Sequence, residues 1–404
     1  MNNMLYTLTS ALSKWGTRRD RGTLPPAPLQ KREEPDDSLE LAPLSFREGP
    51  GVRFLRRAVC AALGIALLLA WPNQSVAQKT KAAKAATASK ATSAKPAPKP
   101  LFSDPVYDGA ADPVIIWNKQ VKKWWMFYTN RRATDTTATG VTWVHGTRIG
   151  IAESGDGGTT WRYRDTANIG YRPDPGSTHW APDIVEDKGI YHMFLTYVPG
   201  TFTDWNHPRV IIHLTSTDLL NWKYVQTLPL VTDKVIDASV LKMPDGTWRL
   251  WYNNERDHKS IYYADSPDLL HWTDHGQALN ERGEGPKIFR WHEQYWMIID
   301  KWQGLAVYHS VDLLHWQPQP ERLLEAPGQG LDDQAIGGHS DVVVSNNRAY
   351  LFYFTHPGRA KLNPAPANST AVKRSVIQVT ELEFKEGKLM CNRDKPAFVQ
   401  LARH

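Results

Sequence analysis

The sequence is short of cysteine. Its 404 residues include two, Cys60 and Cys391. We expect Cys60 to lie in a segment that is removed, and one remaining thiol cannot form a disulfide within the mature chain. Neither cysteine belongs to a Cys/His spacing that would hold zinc. These shortages exclude a disulfide-stapled scaffold and a structural zinc domain.

The chain also lacks an apolar run long enough for a comfortable membrane span, which needs about 20 residues. The apolar run AVCAALGIALLLA at 58–70 follows the basic RFLRR and precedes WPNQSVAQ. This order is typical of a secretory signal peptide. We therefore predict a signal peptide over 53–77, cleavage near Ala77 and a periplasmic or secreted protein with no membrane anchor. A membrane anchor is the alternative.

Residues 1–52 precede the predicted signal, although a signal should begin a protein. We interpret them as an artefact of the gene prediction or as a disordered extension. Residues 78–100 are almost all Lys, Ala, Ser, Thr and Pro. That composition cannot bury a core and predicts a flexible linker.

An excess of positive charge is missing from the rest of the chain. The whole sequence has a formal charge of +6, but residues 101–404 contain 32 Lys and Arg against 35 Asp and Glu. The basic character comes from the N-terminal segments. A nucleic-acid partner is therefore not expected.

A seven-residue phrase recurs in the remaining 304 or so residues. It reads STDLLNW at 216–222, SPDLLHW at 266–272 and SVDLLHW at 310–316, with a looser copy, SGDGGTTW, at 154–161. Each copy follows an alternating apolar stretch, which is typical of a half-buried strand. Ser and Asp can bond nearby backbone N–H groups in a tight turn, so we expect the phrase to be structural, with both Leu packed and the Trp closing an edge.

Each phrase is preceded by an apolar strand, a turn and an aromatic strand. These units begin with DPVIIW at Asp112, DIVEDK at Asp183, DASVLK at Asp237, EGPKIF at Glu284 and DVVVSN at Asp341. Several strands in every 40–60 residues or so are typical of propeller blades. We predict an all-β, five-bladed β-propeller over 101–404, with four antiparallel strands in each blade.

All five predicted first strands begin with an acid. First strands line the central channel of a propeller, so we expect the five carboxylates to converge. Clustered carboxylates raise one another's pKa values, which is costly unless the site uses them. The alternative for any one acid is a hydrogen bond to the backbone of the next blade. Paired carboxyl groups are what glycoside hydrolysis requires.

Three of these stretches resemble the acidic motifs of glycoside hydrolase family 43: ADPVIIW at 111–117, VIDASVLKMPDGTWRLWY at 235–252 and EGPKIF at 284–289. The family consists of five-bladed propellers, most of them inverting and exo-acting arabinosidases, xylosidases and galactosidases. The resemblance implies that Asp112 is the general base, that Asp237 orients the acid and tunes its pKa, and that Glu284 is the general acid.

The resemblance also implies further site residues. GGHSDVVV at 337–344 matches a Gly-His pair of the last blade, which makes His339 the candidate for substrate contact and for a bound calcium; no other cofactor is expected. WAPD at 180–183 matches a segment beside the sugar, which implicates Trp180 and Asp183. A related propeller family uses a His as its acid, which leaves that role open for His339. The sequence departs from the family at Ala238, where Pro is usual, and in the loop at 131–147.

Tryptophans in the predicted hairpins should be core residues: Trp124, Trp125, Trp248, Trp251 and Trp296. Four others lie in predicted loops and could stack on sugar rings: Trp143, Trp180, Trp205 and Trp302. We expect Arg131, Arg132 and His145 to belong to a solvated loop, although they could line the same rim.

The sequence thus predicts an exported glycosidase that acts on an oligo- or polysaccharide. The segments IDA and EGP argue against the invertase type, which carries Arg-Asp-Pro and Glu-Cys at the matching places. A non-catalytic carbohydrate-binding propeller stays open. So does a glycoside phosphorylase, for which Arg131, Arg132, Arg172 and Arg209 would have to form a phosphate pocket.

Overall fold

A computed structural model describes residues 95–172 and 176–403 of the chain. The predicted N-terminal extension, the signal peptide and most of the linker lie outside the described residues. Among those that are described, the strands form one four-stranded sheet after another along the chain.

Blade 1 comprises β1 (Ala110–Asn118), β2 (Lys123–Asn130), β3 (Arg148–Ser154) and β4 (Arg162–Thr166). Blade 2 comprises β6 (Thr178–Asp187), β7 (Ile190–Val198), β8 (Val210–Ser216) and β9 (Asn221–Thr227), and the short β5 (Asn168–Ile169) joins its outer edge in parallel. Blade 3 comprises β10 (Val235–Lys242), β11 (Trp248–Asn254), β12 (Ser260–Ser266) and β13 (Thr273–Leu279). Blade 4 comprises β14 (Glu284–Trp291), β15 (Gln294–Asp300), β16 (Leu305–Ser310) and β17 (Gln317–Pro318). Blade 5 comprises β18 (Gly337–Ser345), β19 (Arg348–Thr355), β20 (Val376–Lys385) and β21 (Lys388–Cys391).

The prediction of an all-β, five-bladed propeller with four antiparallel strands in each blade is confirmed, with β5 as an added edge strand. Within the described ranges, helical structure is limited to α1 (Thr370–Lys373) and two 3-10 turns, Thr142–Val144 and Pro357–Arg359. None of these pieces could cross a membrane. The five predicted core tryptophans are all buried.

The recurring phrase forms the turn between the third and fourth strands of a blade. In blade 2, Ser216 Oγ accepts a hydrogen bond from Leu219 N at 2.9 Å, and Asp218 Oδ1 accepts from Leu220 N and Asn221 N at 2.8 Å each. Trp222 Nε1 donates to Leu219 O at 3.0 Å. This turn lies at the end of the blade where first strands finish, away from the end where they begin. The prediction of a structural role is confirmed.

The two Leu of the phrase behave differently, which corrects the expectation that both pack. The first is fully buried and has a left-handed backbone, with φ of 64° at Leu219, 68° at Leu269 and 63° at Leu313. The second is exposed at Leu270 and Leu314. A left-handed non-glycine residue costs about 1–2 kcal/mol, and burying a Leu side chain recovers roughly that amount.

Every first strand carries a β-bulge at the same place, close to its beginning. The register shifts lie between Ala111 and Val114, Trp180 and Asp183, Ile236 and Ser239, Glu284 and Lys287, and Gly338 and Ser340. Four bulges contain a left-handed residue: Asp112, Ala181, Asp237 or Gly285. Bulges re-aim side chains and are common beside active sites. The Ala238 that replaces a Pro does not abolish its bulge.

The last residues of the predicted linker pack on the propeller. Ala97 N donates to Ala397 O at 2.7 Å, and Lys99 Nζ lies 2.8 Å from Asp333 Oδ2. Phe102 bridges to Ile377 in blade 5 and belongs to the core between blades 5 and 1, with Val399 and Leu401 from the C-terminus. The packed part of the chain therefore begins before Leu101, and both ends of it fill the junction between the first and last blades.

Candidate active site

A pocket of about 1010 Å³ lies at the end of the propeller where the first strands begin. Its walls include Asp112 from β1, Asp237 from β10 and Glu284 from β14, so side chains from three blades meet in one cavity. Asp112 and Asp237 are buried, and Glu284 is partly exposed. The structure thus brings together the three carboxylates that the motifs single out.

Asp112 owes its direction to the bulge, where its φ is 51°. Arg131 follows β2, the partner of β1, and its Nη2 donates to Asp112 Oδ1 at 3.0 Å and to Oδ2 at 3.2 Å. Arg131 Nη1 lies 3.2 Å from Nε2 of His356, whose Nδ1 lies 2.8 Å from Arg374 O. The His ring can therefore donate to the carbonyl and accept from Arg131. This chain of contacts fixes the Asp112 carboxylate.

Asp237 occupies the equivalent bulge of blade 3, with φ of 59°. Its Oδ2 accepts a hydrogen bond from Gly285 N at 3.1 Å, one residue after Glu284. Burial, and then the charges of Glu284 and Asp112, raise the pKa of Asp237 well above the usual value for an aspartate. Asp237 therefore touches the backbone that carries Glu284, and its protonated form is favoured.

His339 lies between the two aspartates. Its Nδ1 is 3.6 Å from Asp112 Oδ1 and 4.0 Å from Asp237 Oδ2. The ring packs on Gly285, where an added Cβ would come within 2.7–2.9 Å of ring atoms. Gly285 has φ of 59°, so both its conformation and this contact require glycine. The tight chain segment around Glu284 thus seats His339 as well.

Lys259 lies beside Glu284. Its Nζ is 3.2 Å from Glu284 Oε2 and 2.5 Å from Glu255 Oε1, and Glu255 also pairs with Arg209. Burial opposes the charge of Lys259, but the charges of Glu284 and Glu255 outweigh it and raise the Lys259 pKa. All four residues line the pocket, and no motif in the sequence predicts that Lys259 and Glu255 would do so.

Asp300, the last residue of β15, is a site carboxylate that the motifs missed. Its Oδ2 accepts from His339 N at 2.8 Å and its Oδ1 from Trp302 N at 2.7 Å. Burial, followed by the charge of Glu284, raises the pKa of Asp300 to about 7. It ends a continuously apolar strand, YWMIID, and lies opposite Glu284 in the pairing of β14 with β15, which places its side chain at the pocket. That pairing was the one signal that could have found it.

The five predicted carboxylates do not share one layer, which corrects the expectation that they all converge. Asp183 and Asp341 lie two residues beyond the bulge of their strands, in a ring one step deeper in the channel. Asp183 Oδ2 accepts from Val240 N at 2.6 Å, and Asp341 Oδ2 accepts from Ile115 N at 2.7 Å, each in the next blade. The alternative of a blade-to-blade backbone bond thus describes these two acids.

Lys287 occupies the centre of this deeper ring. Its Nζ lies 3.0 Å from Asp183 Oδ1 and 2.8 Å from Asp341 Oδ1. Burial disfavours the charged amine, but the two carboxylates outweigh it and raise the pKa of Lys287. Asp183 has both oxygens engaged and is not part of the pocket wall, so we no longer assign it a sugar contact.

All four of these tryptophans line the pocket, although Trp180 lies in β6, which corrects its predicted place in a loop. Trp143 and Trp180 are about 9% exposed, and Trp180 Nε1 donates to Val144 O at 2.6 Å. Trp205 is 51% exposed, and Trp302 is partly exposed. Trp205 and Trp302 therefore offer the open faces, whereas Trp143 and Trp180 form the wall.

The loop at 131–147 builds one side of the pocket. Arg131, Trp143 and Val144 line the cavity, so the expectation of a solvated loop is wrong for Arg131. Arg132 pairs with Asp135 outside the wall. His145 is fully buried, with its ring 5.1 Å from that of Trp180. The loop is anchored to the segment after β7, since Val141 N donates to Thr203 O at 3.1 Å.

The surroundings of His339 do not fit the calcium ion that the family resemblance implies. Calcium prefers six to eight oxygen ligands, and the described residues contain no group of three or more His, Cys, Asp or Glu side chains that could hold a metal. The carboxylates of Asp183 and Asp341, in the deeper ring of the channel, are already paired with Lys287. An ammonium group thus supplies positive charge in the channel.

Comparison with solved structures gives matches over most of the propeller. A thermostable family-43 glycoside hydrolase matches with a TM-score of 0.54 and 18% identity, covering 73% of this chain and 97% of that one. The chain has the fold of the family 43 glycoside hydrolases. The prediction of a propeller resembling that family is confirmed.

Two further family 43 enzymes match similarly. A β-xylosidase/α-arabinofuranosidase from a compost microbial metagenome, in complex with xylotriose, gives a TM-score of 0.52 and 15% identity over 73% of this chain and 96% of that one. A β-1,3-galactosidase with galactodeoxynojirimycin gives a TM-score of 0.51 and 14% identity, covering 70% of this chain and 93% of that one. No protein-family model and no curated protein sequence matches the chain.

Proposed function

We propose that this protein is a glycoside hydrolase that acts on an oligo- or polysaccharide. The observation that carries the proposal is the meeting of Asp112, Asp237 and Glu284, from three blades, in one pocket walled with tryptophan. A pair of carboxyl groups in a sugar-sized pocket is the minimum that this chemistry needs.

In the proposed reaction, Asp112 takes a proton from a water molecule that attacks the anomeric carbon. Glu284 gives a proton to the leaving glycosidic oxygen, so the product has inverted configuration. Arg131 holds the base in position, and Asp237 fixes the backbone next to the acid through Gly285 N. Lys259, 3.2 Å from Glu284, would stabilise the carboxylate that remains after proton transfer.

Exo action and the class of sugar belong to the proposal too. A cavity of about 1010 Å³ suits a chain end of one to a few sugars better than a long strand of polymer. The matched enzymes are described as a β-xylosidase/α-arabinofuranosidase and a β-1,3-galactosidase. Arabinosides, xylosides and galactosides are therefore the first substrates to try.

The test compares wild-type protein with Glu284→Gln on aryl α-L-arabinofuranosides, β-D-xylosides and α- and β-galactosides. We expect turnover of one class by wild type and a loss of about 10²–10⁴-fold in the variant, because the proton donor is gone. Glu281→Gln is the matched control, since Glu281 lies outside the pocket wall and pairs with Lys301. Equal rates for Glu284→Gln and wild type would exclude Glu284 as the acid.

Proton NMR of the first product then reports the stereochemistry. Inversion is expected for the roles given above. Retention would instead make Asp112 a nucleophile and would require a different account of the water.

A phosphorylase is the second candidate that the sequence left open. Of its four arginines, Arg131 and Arg209 line the pocket and face carboxylates. Arg132 pairs with Asp135, and Arg172 lies over the Tyr171 ring. A rate that depends on added phosphate would favour this candidate. Ligand binding without turnover of any glycan would favour the non-catalytic propeller.

We also propose that the protein is exported and needs no calcium for activity. Export is supported by the pattern at 53–77, and calcium independence by the ammonium group of Lys287 in the channel. N-terminal sequencing of the exported protein and an assay in the presence of a chelator test these two points.

A further inference from the structure

The charged groups that line the pocket do not balance. Lys234, Arg282, Arg359 and Lys361 line it, and none of them has an acidic partner within ion-pair distance among the described residues. Of the acids in the wall, Asp112, Glu255 and Glu284 are ion-paired, and Asp237 and Asp300 have raised pKa values. Glu325 is the lining acid left over. The pocket therefore has a surplus of unpaired positive charge.

The surplus is sharpest next to Asp112. Arg359 ends the 3-10 turn Pro357–Arg359, and its Nε donates to Val372 O at 3.1 Å. The carbonyl bond leaves the two terminal nitrogens of Arg359 with no protein acceptor in the described structure. Arg131 shares this corner, and its own acidic partner is Asp112. Two neighbouring guanidinium groups thus have one carboxylate between them, that of Asp112, and it is bonded to Arg131.

Among the described residues, Arg359 has no carboxylate within ion-pair distance, and the neighbouring His356 carries no charge. Burial, and then the charges of Arg359 and Arg131, lower the pKa of His356 well below its ordinary value, so the imidazole is neutral. Arg359 is exposed at the pocket wall, and partial burial, followed by the charge of Arg131, lowers its pKa to about 10. At neutral pH Arg359 is still charged. An anion placed here would relieve the repulsion between the guanidinium groups.

We propose that the glycan taken by this site is acidic, and that Arg359, beside Arg131, binds an anionic substituent on the sugar next to Asp112. The substituent is a carboxylate, as in a uronic acid, or a sulfate ester. This inference rests on the proposed function and narrows its substrate class. Both groups, the carboxylate and the sulfate ester, present paired oxygen atoms that can accept hydrogen bonds from two N–H groups of one guanidinium.

The surroundings favour an anion carried by a sugar over a free anion. Arg359 lies over the ring of Trp143, with 5.8 Å from Cζ to the ring centre, and Trp143 lines the same wall. An aromatic wall beside a cation can contact the apolar C–H surface of a sugar while the cation binds its charged group. A free phosphate would use the cation alone and make no use of the apolar wall.

The opposite wall fits further acidic units of the same chain. Arg282 lies over the partly exposed ring of Trp302, at 4.8 Å from Cζ to the ring centre. Lys234 lines the same side without an acidic partner among the described residues. This is a second cation beside a second tryptophan of the pocket, as expected for a glycan with more than one anionic group.

The test uses methyl glycosides in pairs that differ by the anionic group. Methyl β-D-xyloside pairs with methyl β-D-glucuronide, methyl α-L-arabinopyranoside with methyl β-D-galacturonide, and methyl β-D-galactoside with its 6-sulfate. Dissociation constants are measured by calorimetry on the purified protein, with inorganic phosphate titrated in parallel. We expect the acidic member of at least one pair to bind about 10–100-fold more tightly, as for hydrogen bonds to charged groups.

The variants separate an anion site from a structural effect. Arg359→Met should remove the preference for the acidic member and leave the neutral member within about twofold, and Arg359→Lys should keep part of it. Arg162→Met, which removes the same charge from the exposed face of β4, is the control and should change nothing. Equal affinity for both members of every pair, no binding of any acidic glycoside, or an equal loss for both members in Arg359→Met would overturn the proposal.

The outcome also separates this inference from the proposed function. Tight binding of acidic glycosides through Arg359 without turnover of any glycan would leave the anion site standing and remove the hydrolase. Turnover of neutral glycosides without any preference for acidic ones would support the hydrolase and overturn the anion site. Phosphate that binds through Arg359, with no gain from an anionic group on the sugar, would overturn the proposal in favour of a free anion.

Discussion

Arg131 is the side chain that connects Asp112 in blade 1 with His356, which follows β19 of blade 5. It donates to both oxygens of Asp112 and reaches Nε2 of His356 in the last blade. It does not belong to any of the acidic motifs. Its position follows from the pairing of β1 with β2, where Ala111 opposes Thr129 and the chain leaves the strand two residues later.

Replacing Arg131 with Lys tests its role in positioning. Lys keeps the charge but cannot contact both carboxylate oxygens and His356 at once. We expect kcat to fall by about 10–100-fold, because small displacements of reacting groups are costly. Steady-state kinetics on the substrate identified above measure it. Arg132→Lys, next along the chain and outside the pocket wall, is the control, and equal kcat values for the two variants would contradict a positioning role.

The raised pKa of Asp300 predicts a pH dependence of stability. The folded state holds this proton up to pH of about 7, whereas the unfolded chain releases it near the ordinary value of 3.8. Between these values the folded state binds more protons, so the free energy of unfolding should fall as the pH rises from 4 to 7. The slope from this one group is at most about 1.4 kcal/mol per pH unit.

Asp300→Asn should make the same profile flatter, because Asn cannot release a proton. Thermal unfolding of both proteins from pH 4.5 to 8 measures the difference in slope, which is informative even if the variant is less stable at every pH. Parallel profiles would show that Asp300 does not titrate in this range.

At the scale of the strand, the bulge near the start of each first strand is the feature that makes the pocket. It turns the left-handed Asp112 and Asp237 towards the pocket, and in blade 4 the left-handed residue is Gly285, which directly follows Glu284. Without the extra residue, the side chains after it would exchange faces, because the side-chain period of a strand is two.

Gly285→Ala tests the bulge of blade 4. The added Cβ would meet the His339 ring within 2.9 Å and would stand at a left-handed φ of 59°. We expect a loss of about 2–4 kcal/mol in the free energy of unfolding, the sum of backbone strain and displacement of the ring. Denaturant unfolding measures it.

Gly246→Ala is the matched control for this change. Gly246 has φ of 90° and nothing within 4 Å of the built Cβ, so strain alone should cost about 1–2 kcal/mol. If both variants lost the same stability, the contact between Gly285 and His339 would be of no consequence.

At the scale of the whole molecule, blades are joined around the axis by the deeper ring of side chains. Asp341 of blade 5 accepts from Ile115 N of blade 1, which links the last blade to the first. Asp183 joins blade 2 to blade 3, and Ser239 Oγ accepts from Ile288 N at 3.2 Å between blades 3 and 4. Lys287 balances the two acids of this ring.

Lys287→Met should destabilise the propeller strongly. It leaves the buried carboxylates of Asp183 and Asp341 without their counter-charge, which costs about 3–5 kcal/mol for a buried pair. Lys242→Met is the control, because Lys242 pairs with Asp187 at the surface and is half exposed. For Lys242→Met we expect the free energy of unfolding to fall by less than about 1 kcal/mol. Similar losses in denaturant unfolding for both variants would show that the ring contributes no more than a surface pair.

The sequence by itself determined the blades and their turns. Strand alternation is a local pattern, and the Ser and Asp of the repeated phrase bond to backbone groups two to four residues away, so both can be recognised without the fold. The acids of the three motifs and the loop tryptophans could be found in the same way, because they stand at the ends of recognisable strands.

The tertiary structure alone decided which of these groups meet. The bulges separate Asp112 and Asp237 from Asp183 and Asp341 by one layer, and a one-residue change in register cannot be counted from an alternating pattern. Arg131, Lys259 and Asp300 entered the site through pairing between strands and blades that are distant in sequence. The raised pKa of Asp300 and the unpaired charge of Arg359 depend on burial and on neighbours from other blades, which exist only once the ring of blades is closed.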